Sequence, residues 1–120
     1  MTNHAPEALL KTKEIVEDIP YCMMTTLTPE GALTSRPMTV LQMDEAGNLW
    51  FFADERSPKV YELAVDTAVS LFFQNDGDNT YLQLDGTASL VKDKAKMREL
   101  YTPIVRTWFP DGLDDPYLTL

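Results

Sequence analysis

The chain of 120 residues contains one cysteine, Cys22, and one histidine, His4. A lone cysteine excludes an internal disulfide and any zinc site built on paired cysteines. A lone histidine beside the N-terminus removes a Ser-His-Asp arrangement and a histidine-based metal centre from the available chemistries. Cys22 itself stands beside Met23 and Met24 in an apolar run, the setting of a buried, unreactive thiol. No apolar run approaches the ~20 residues that a membrane helix needs, and no charged-then-apolar leader opens the sequence. Positive charge is scarce too: 10 Lys and Arg stand against 19 Asp and Glu, a net of −9. A nucleic-acid binder would have to hold phosphate against that field. These absences describe a single-domain protein spanning 1–120, expected in the cytoplasm, with neither nucleic-acid nor membrane partners.

What is present is strand pattern framed by short helices. Residues 7–18 carry Leu9, Leu10, Ile15 and Val16 at helical spacing, with Pro6 in the first turn and Pro20 past the end. Strands follow over 21–28 and 33–43, separated by the turn signal Pro29-Glu30-Gly31. After a second turn at 44–48 comes a third, wholly apolar strand over 49–53, expected to be buried on both faces. Ser57-Pro58-Lys59 reads as a helix start, with Ser57 as N-cap and Val60, Leu63 and Ala64 inward. Residues 67–74 and 80–91 read as strands, the second interrupted by Gly86, where a bulge or sharp bend is expected. A helix over 93–101 buries Met97 and Leu100, a Pro- and Gly-punctuated stretch follows, and 117–120 begins a last strand. That strand either joins a sheet edge or marks a shortened form of a longer chain. The fold class implied is mainly β with peripheral helices, a small closed antiparallel barrel.

No residue set performs acid–base chemistry by itself, so redox or group-transfer work would need a bound cofactor. Asp76, Asp78 and Asn79 resemble part of a calcium loop but lack the closing Glu, which makes them a solvated hairpin loop. No catalytic or metal-ligating residue is assigned. Ser57 and Lys59 flank a helix N-terminus, where free amides and the dipole favour an anion, and Arg36 would join them if its side chain faced the same way. The alternative is that Ser57 is only a cap and Lys59 only a surface lysine. Trp50, Phe51 and Phe52 read first as core. Trp108 and Phe109 lie in an irregular stretch and need a cover: the domain's own core, a partner subunit or a planar ligand.

Taken in order, Ser35-Arg36-Pro37-Met38, Leu49-Trp50-Phe51-Phe52-Ala53, Ser57-Pro58-Lys59, 79–88 and the run to Trp108-Phe109-Pro110-Asp111-Gly112 resemble the pyridoxamine 5'-phosphate oxidase-like, FMN-binding split barrels, in their general stress protein branch. The resemblance spans about residues 7 to 120. It implies a six-stranded antiparallel split barrel, a homodimer, and FMN at the subunit interface. Arg36, Pro37 and Met38 would lie along the ring and ribityl chain, with Arg36 at the ring's pyrimidine end. Trp50, Phe51, Phe52 and Ala53 would give a wall and backbone contacts, and Ser57 and Lys59 would take the phosphate. Trp108 and Phe109 would come from the other subunit. The activity implied is that of a flavin-dependent oxidoreductase working with a small-molecule electron donor or acceptor. A non-enzymatic flavin-binding or sensing protein and a split barrel holding a deazaflavin remain alternatives, while the lone His4 argues against a histidine-ligated haem. The oxidase's histidine and basic groups for pyridoxal phosphate have no counterpart here, which disfavours vitamin B6 oxidation.

Overall fold

Proline brackets the first helix, α1 (Pro6–Asp18). The computed structural model describes residues 6–120, so His4 lies outside the described residues. Only the C-terminal half of the apolar stripe on α1 is used. Val16 and the following Ile19 are buried, whereas Leu9 and Leu10 stay exposed. Strands β1 (Tyr21–Leu27) and β2 (Leu33–Thr39) pair antiparallel across a turn in which Gly31 takes a φ of 85°, a conformation that costs glycine little. Alternation on β1 is strict: Cys22, Met24 and Thr26 point inward, Tyr21 and Met23 outward.

The expected strand over 33–43 divides. After β2 the amide of Val40 still donates to the Pro20 carbonyl at 3.0 Å, but that of Leu41 donates to Trp50 at 2.9 Å. The chain has changed partners and runs on as β3 (Gln42–Met43) against β4 (Leu49–Trp50). The apolar strand over 49–53 divides likewise: Phe51 and Phe52 separate β4 from β5 (Ala53–Asp54), and all of them are only half-buried. A strand that leaves one sheet for another makes the corner of an orthogonal β structure.

Helix α2 (Pro58–Val65) leads to β6 (Ala68–Asn75) and β7 (Thr80–Thr87), joined by a tight turn with Asn79 left-handed. The β6·β7 ladder runs from Ala68↔Thr87 to Asn75↔Thr80 without a slip. Gly86 therefore makes no bulge; it pairs with Val69, and a side chain there would meet nothing within 4 Å. Gly86 also lines the cavity of the candidate site. Asp93 caps α3 (Lys94–Leu100) by accepting from the amides of Ala95 and Lys96. Two short 3-10 turns, Pro103–Thr107 and Gly112–Asp114, precede β8 (Leu118–Thr119).

The main sheet has four antiparallel strands in the order β2-β1-β6-β7, and β3·β4 and β5·β8 form two-stranded ribbons. The fold is thus antiparallel β with peripheral helices. The expected count of six strands is not what the pairing gives, because the partner changes at Val40–Leu41 and Phe51–Phe52 cut two chain passes into four segments. The last strand is no exposed edge: Leu118, Thr119 and Leu120 are buried, β8 pairs with β5, and Leu120 exchanges both backbone bonds with Val91. Two apolar clusters result. One gathers Val16, Cys22, Met24, Met43, Leu71 and Phe73, the other Met97, Leu100, Val105, Phe109, Leu118 and Leu120.

Candidate functional site

A cavity of about 900 Å³ is lined by residues of both clusters, Met24, Met43 and Leu71 from one and Leu120 from the other. Its size lies within the ~300–1,000 Å³ of small-molecule sites. Five of the expected site residues line it: Met38, Trp50, Phe51, Ala53 and Lys59. The others lie elsewhere. Strand periodicity sends the side chains of Arg36 and Met38 inward but that of Pro37 outward, opposite Met23, so the three side chains do not share a face. Phe52 packs on the second cluster while Phe51 packs on the first. The two neighbours at 108 and 109 part completely: Phe109 is 8% exposed within its own chain's core, Trp108 69% exposed. The cover that Phe109 needed is supplied by Met97, Leu100 and Val105.

Ser57 sits at the N-cap of α2 with extended backbone, yet its side chain makes no capping bond. Its Oγ instead accepts from Lys59 Nζ at 3.3 Å. Burial, and then the nearby charge of Arg36, push the Lys59 ammonium below the usual lysine range, while Asp54 acts in the opposite sense. Lys59 thus stands in the cavity wall and feels the Arg36 charge, in a protein of net charge −9. Arg36 turns toward the same helix, where its contact is Glu62 rather than Ser57 or Lys59.

The guanidinium of Arg36 is held from below. Nη1 donates to the Met24 carbonyl at 3.2 Å and to Thr26 Oγ1 at 2.9 Å, and Nη2 to Thr34 Oγ1 at 2.8 Å. Glu62 Oε1 lies 3.5 Å from Nη2 and accepts from Thr26 Oγ1 at 2.6 Å and Thr34 Oγ1 at 2.8 Å. Those two hydroxyls, before the guanidinium, hold the Glu62 carboxyl below the usual glutamate range. Sequence reasoning missed Glu62, Thr26 and Thr34. A signal existed: Glu62 falls between Val60 and Leu63 on the inward stripe of α2, three residues past Lys59, where a carboxylate needs partners.

Trp50 has a second attachment. Its Nε1 donates to Asp44 Oδ2 at 3.0 Å, and Lys96 Nζ lies 4.9 Å from its ring centre. That Trp50 bond, joined by the amides of the 44–48 turn and the Asn48 side chain against the cost of burial, holds the Asp44 carboxyl at about 2. Cys22 is buried and its thiol is pushed up to about 11, which leaves it unreactive at neutral pH. Among the described residues no cluster of His, Cys, Asp and Glu is disposed to hold a metal ion, and no helix is long and apolar enough to cross a membrane.

The family model for pyridoxamine 5'-phosphate oxidase-like proteins matches residues 7–120. The chain belongs to that family. Protein bli-3 of Neurospora crassa is 32% identical over 93 residues, which cover 76% of this chain and 44% of that protein, so the chain spans less than half of that relative's length. A crystal structure from Clostridium acetobutylicum, described as related to general stress protein 26 of B. subtilis (pyridoxinephosphate oxidase family), superposes with a TM-score of 0.79 at 26% identity, covering 97% of this chain and 82% of that one. Two more distant structures share the fold. An FMN-binding, pyridoxamine 5'-phosphate oxidase-related protein of Nostoc punctiforme is 17% identical (TM-score 0.60, 89% of this chain and 58% of that one). An F420 reductase is 19% identical (TM-score 0.67, 89% and 86%). Of the stretches that carried the resemblance, Met38, most of Leu49–Ala53, Lys59 and residues 84–88 line the cavity and Ser57-Pro58 opens α2, whereas the run to Gly112 does neither.

Proposed function

We propose that this chain is an FMN-binding oxidoreductase of the general stress protein type that works as a pair of subunits. The observation that carries the reading is the contact of Lys59 with Ser57 at the start of α2, within reach of the Arg36 charge and beside an apolar wall of Met38, Trp50, Phe51 and Ala53. A phosphate suits the first group and a planar ring the second. The Ser57 hydroxyl hydrogen is not spent on a capping bond, and a half-buried ammonium that feels a guanidinium's charge gains most from a dianion. FMN, once bound, supplies hydride or electron acceptance that no side chain here offers. The chain's own part is to bind, orient and shield. Lys59 and Ser57 hold the anionic end, and Trp50 is fixed through Asp44.

Arg36 belongs in this reading with the phosphate end rather than at the ring's pyrimidine end, because it shares its region with Lys59. Support for a paired state comes from the outer face of the main sheet. Pro37, Met23 and Phe72 are direct partners across three strands, and Tyr81 stacks on Phe72 at 6.4 Å. Tyr21, Met23, Phe72 and Tyr81 are all exposed, an apolar patch of the kind that a second copy covers. We also take the three sheets as arcs of one six-stranded split barrel, a reading supported by the bonds of Val40, Leu41 and Val91 that bridge their ends.

The test is the visible spectrum of the purified protein, then titration with FMN and, separately, with a deazaflavin. Saturation near one FMN per chain is expected, and Lys59→Ala weakens it by about 1.5–3 kcal/mol, the range for hydrogen bonds to charged groups. Unchanged affinity in that variant removes the phosphate assignment. Preference for the deazaflavin replaces the cofactor, and FMN binding without turnover by NADH or NADPH leaves a binder rather than an enzyme.

A further inference from the structure

Glu62 is the acidic side chain of α2, and its carboxylate is almost wholly enclosed, with 9% of the side chain exposed against 23% for Arg36. A negative charge beside Arg36, one turn from Lys59 on α2, works against an anion there, so its presence asks for another purpose. We propose that Glu62 is a positioning residue for the anionic end of the cofactor site, acting through Arg36. The proposal rests on the reading of Ser57 and Lys59 as that end.

Thr26 Oγ1 and Thr34 Oγ1 each accept from the guanidinium and each give their own hydroxyl hydrogen to Glu62 Oε1. The carboxylate thereby fixes which way both hydroxyls point, and the hydroxyls fix the guanidinium. Both Nη nitrogens of Arg36 are committed below the site, while Nε has no partner among the described residues. A phosphate beside Lys59 therefore meets Arg36 as an immobile positive charge, not as a two-pronged fork of Nη donors. Since Glu62 and Lys59 are three residues apart on α2, the same carboxylate ties the helix carrying Ser57 and Lys59 to the strand carrying Arg36.

Charge and position predict opposite signs, which makes the proposal testable. Removing a carboxylate near an anion site strengthens anion binding by Coulomb's law alone; removing a positioning residue weakens it. The experiment takes the full chain, titrates it with FMN and with inorganic phosphate, and follows the Arg36 side-chain N–H signals by NMR in the absence of either. Glu62→Met is expected to weaken FMN binding about tenfold and to merge the separate Nη signals of Arg36 through free rotation. Glu62→Gln, which keeps an acceptor oxygen in place, falls between that variant and the parent. The exposed Glu30→Gln, with the same change of net charge, leaves binding unchanged. Should Glu62→Met fail to fold, the isosteric and charge-neutral Thr34→Val decides by the same two readouts, with a loss of about threefold expected. Equal or tighter FMN binding in Glu62→Met or Thr34→Val, with Arg36 signals as in the parent, overturns the proposal. If Lys59→Ala leaves FMN binding intact, it is the cofactor reading that fails, and the Arg36 signals still judge the coupling to Glu62.

Discussion

Two of the three pairings of the main sheet join neighbours in sequence, and the third, β1 with β6, docks the two hairpins through Met23–Thr25. β1 and β2 form one hairpin and β6 and β7 another, with seven and eight paired positions. The other region, which holds the second apolar cluster, is closed by partners far apart along the chain. Ala53 meets Thr119 and Val91 meets Leu120, through ribbons only two residues long. Long local ladders organise themselves, whereas short ribbons exist because side chains such as Leu118 and Phe109 bury around them. The candidate site takes one wall from each region. Arg36 and Met38 come from a hairpin, while Ala53 lies in the strand that needs β8 and Ser57 and Lys59 follow it. Binding at the site thus depends on the less self-sufficient region.

The largest effects should come from emptying the two clusters in turn. Phe73, fully buried beneath the main sheet, should cost about 3–5 kcal/mol as Phe73→Ala, and Leu118, 1% exposed, about 2–5 kcal/mol as Leu118→Ala. If the regions form one cooperative unit, both variants shift a single denaturation midpoint, by circular dichroism and by fluorescence alike. If the second region opens alone, Leu118→Ala adds an early transition in which the amides of β5 and β8 exchange while those of β6 and β7 stay protected. Cofactor binding should follow the early transition.

The same contrast decides what the sequence disclosed. Alternation in Tyr21–Leu27, the turn at Gly31 and the Ser57-Pro58 helix start are local signals, and the structure follows them. The interruptions at Val40–Leu41 and Phe51–Phe52 have no local mark, because each is fixed by a partner, Trp50 for one and Thr119 beyond the other, that lies elsewhere in the chain. Gly86 misled for the converse reason: a local signal was read where the pairing leaves open space. At the site, the helix start disclosed Ser57 and Lys59. Glu62 stayed hidden because its reason for burial, two hydroxyls and a guanidinium, comes from β1 and β2. The family resemblance carried Trp108 and Phe109 as a pair, and only the second cluster separates them.

A smaller effect probes the β3–β4 turn, which joins the regions. The folded pKa of Asp44 lies at about 2, below the ordinary carboxylate value, with the Trp50 bond as its chief cause. A depressed carboxyl gives a stabilisation that is complete above the unfolded pKa of roughly 4 and is lost as pH falls toward the folded value. The Trp50 emission should therefore change in that acid window. Asp44→Asn should remove the step, and Trp108→Phe, which deletes the exposed indole, should keep it. A step that persists in Asp44→Asn assigns the change to another carboxylate.

Trp108 offers the smallest effect on stability and the sharpest contrast with its neighbour. Exposed to 69%, it should cost under about 0.5 kcal/mol as Trp108→Ala, whereas Phe109→Ala should cost about 3–5 kcal/mol for a core aromatic. A side chain that the single chain does not need can still serve a second copy, so sedimentation at micromolar concentration is the discriminating measurement. Two surfaces compete for that role: the Met23–Phe72–Tyr81 face on the self-sufficient hairpins and Trp108 on the second region. If Phe72→Lys dissociates the pair and Trp108→Ala does not, the interface rests on the main sheet. If Trp108→Ala alone lowers both the association and the FMN affinity, the partner's indole completes the site, and the second region contributes to it from both subunits. A protein that is monomeric before any substitution removes the paired state from the reading altogether.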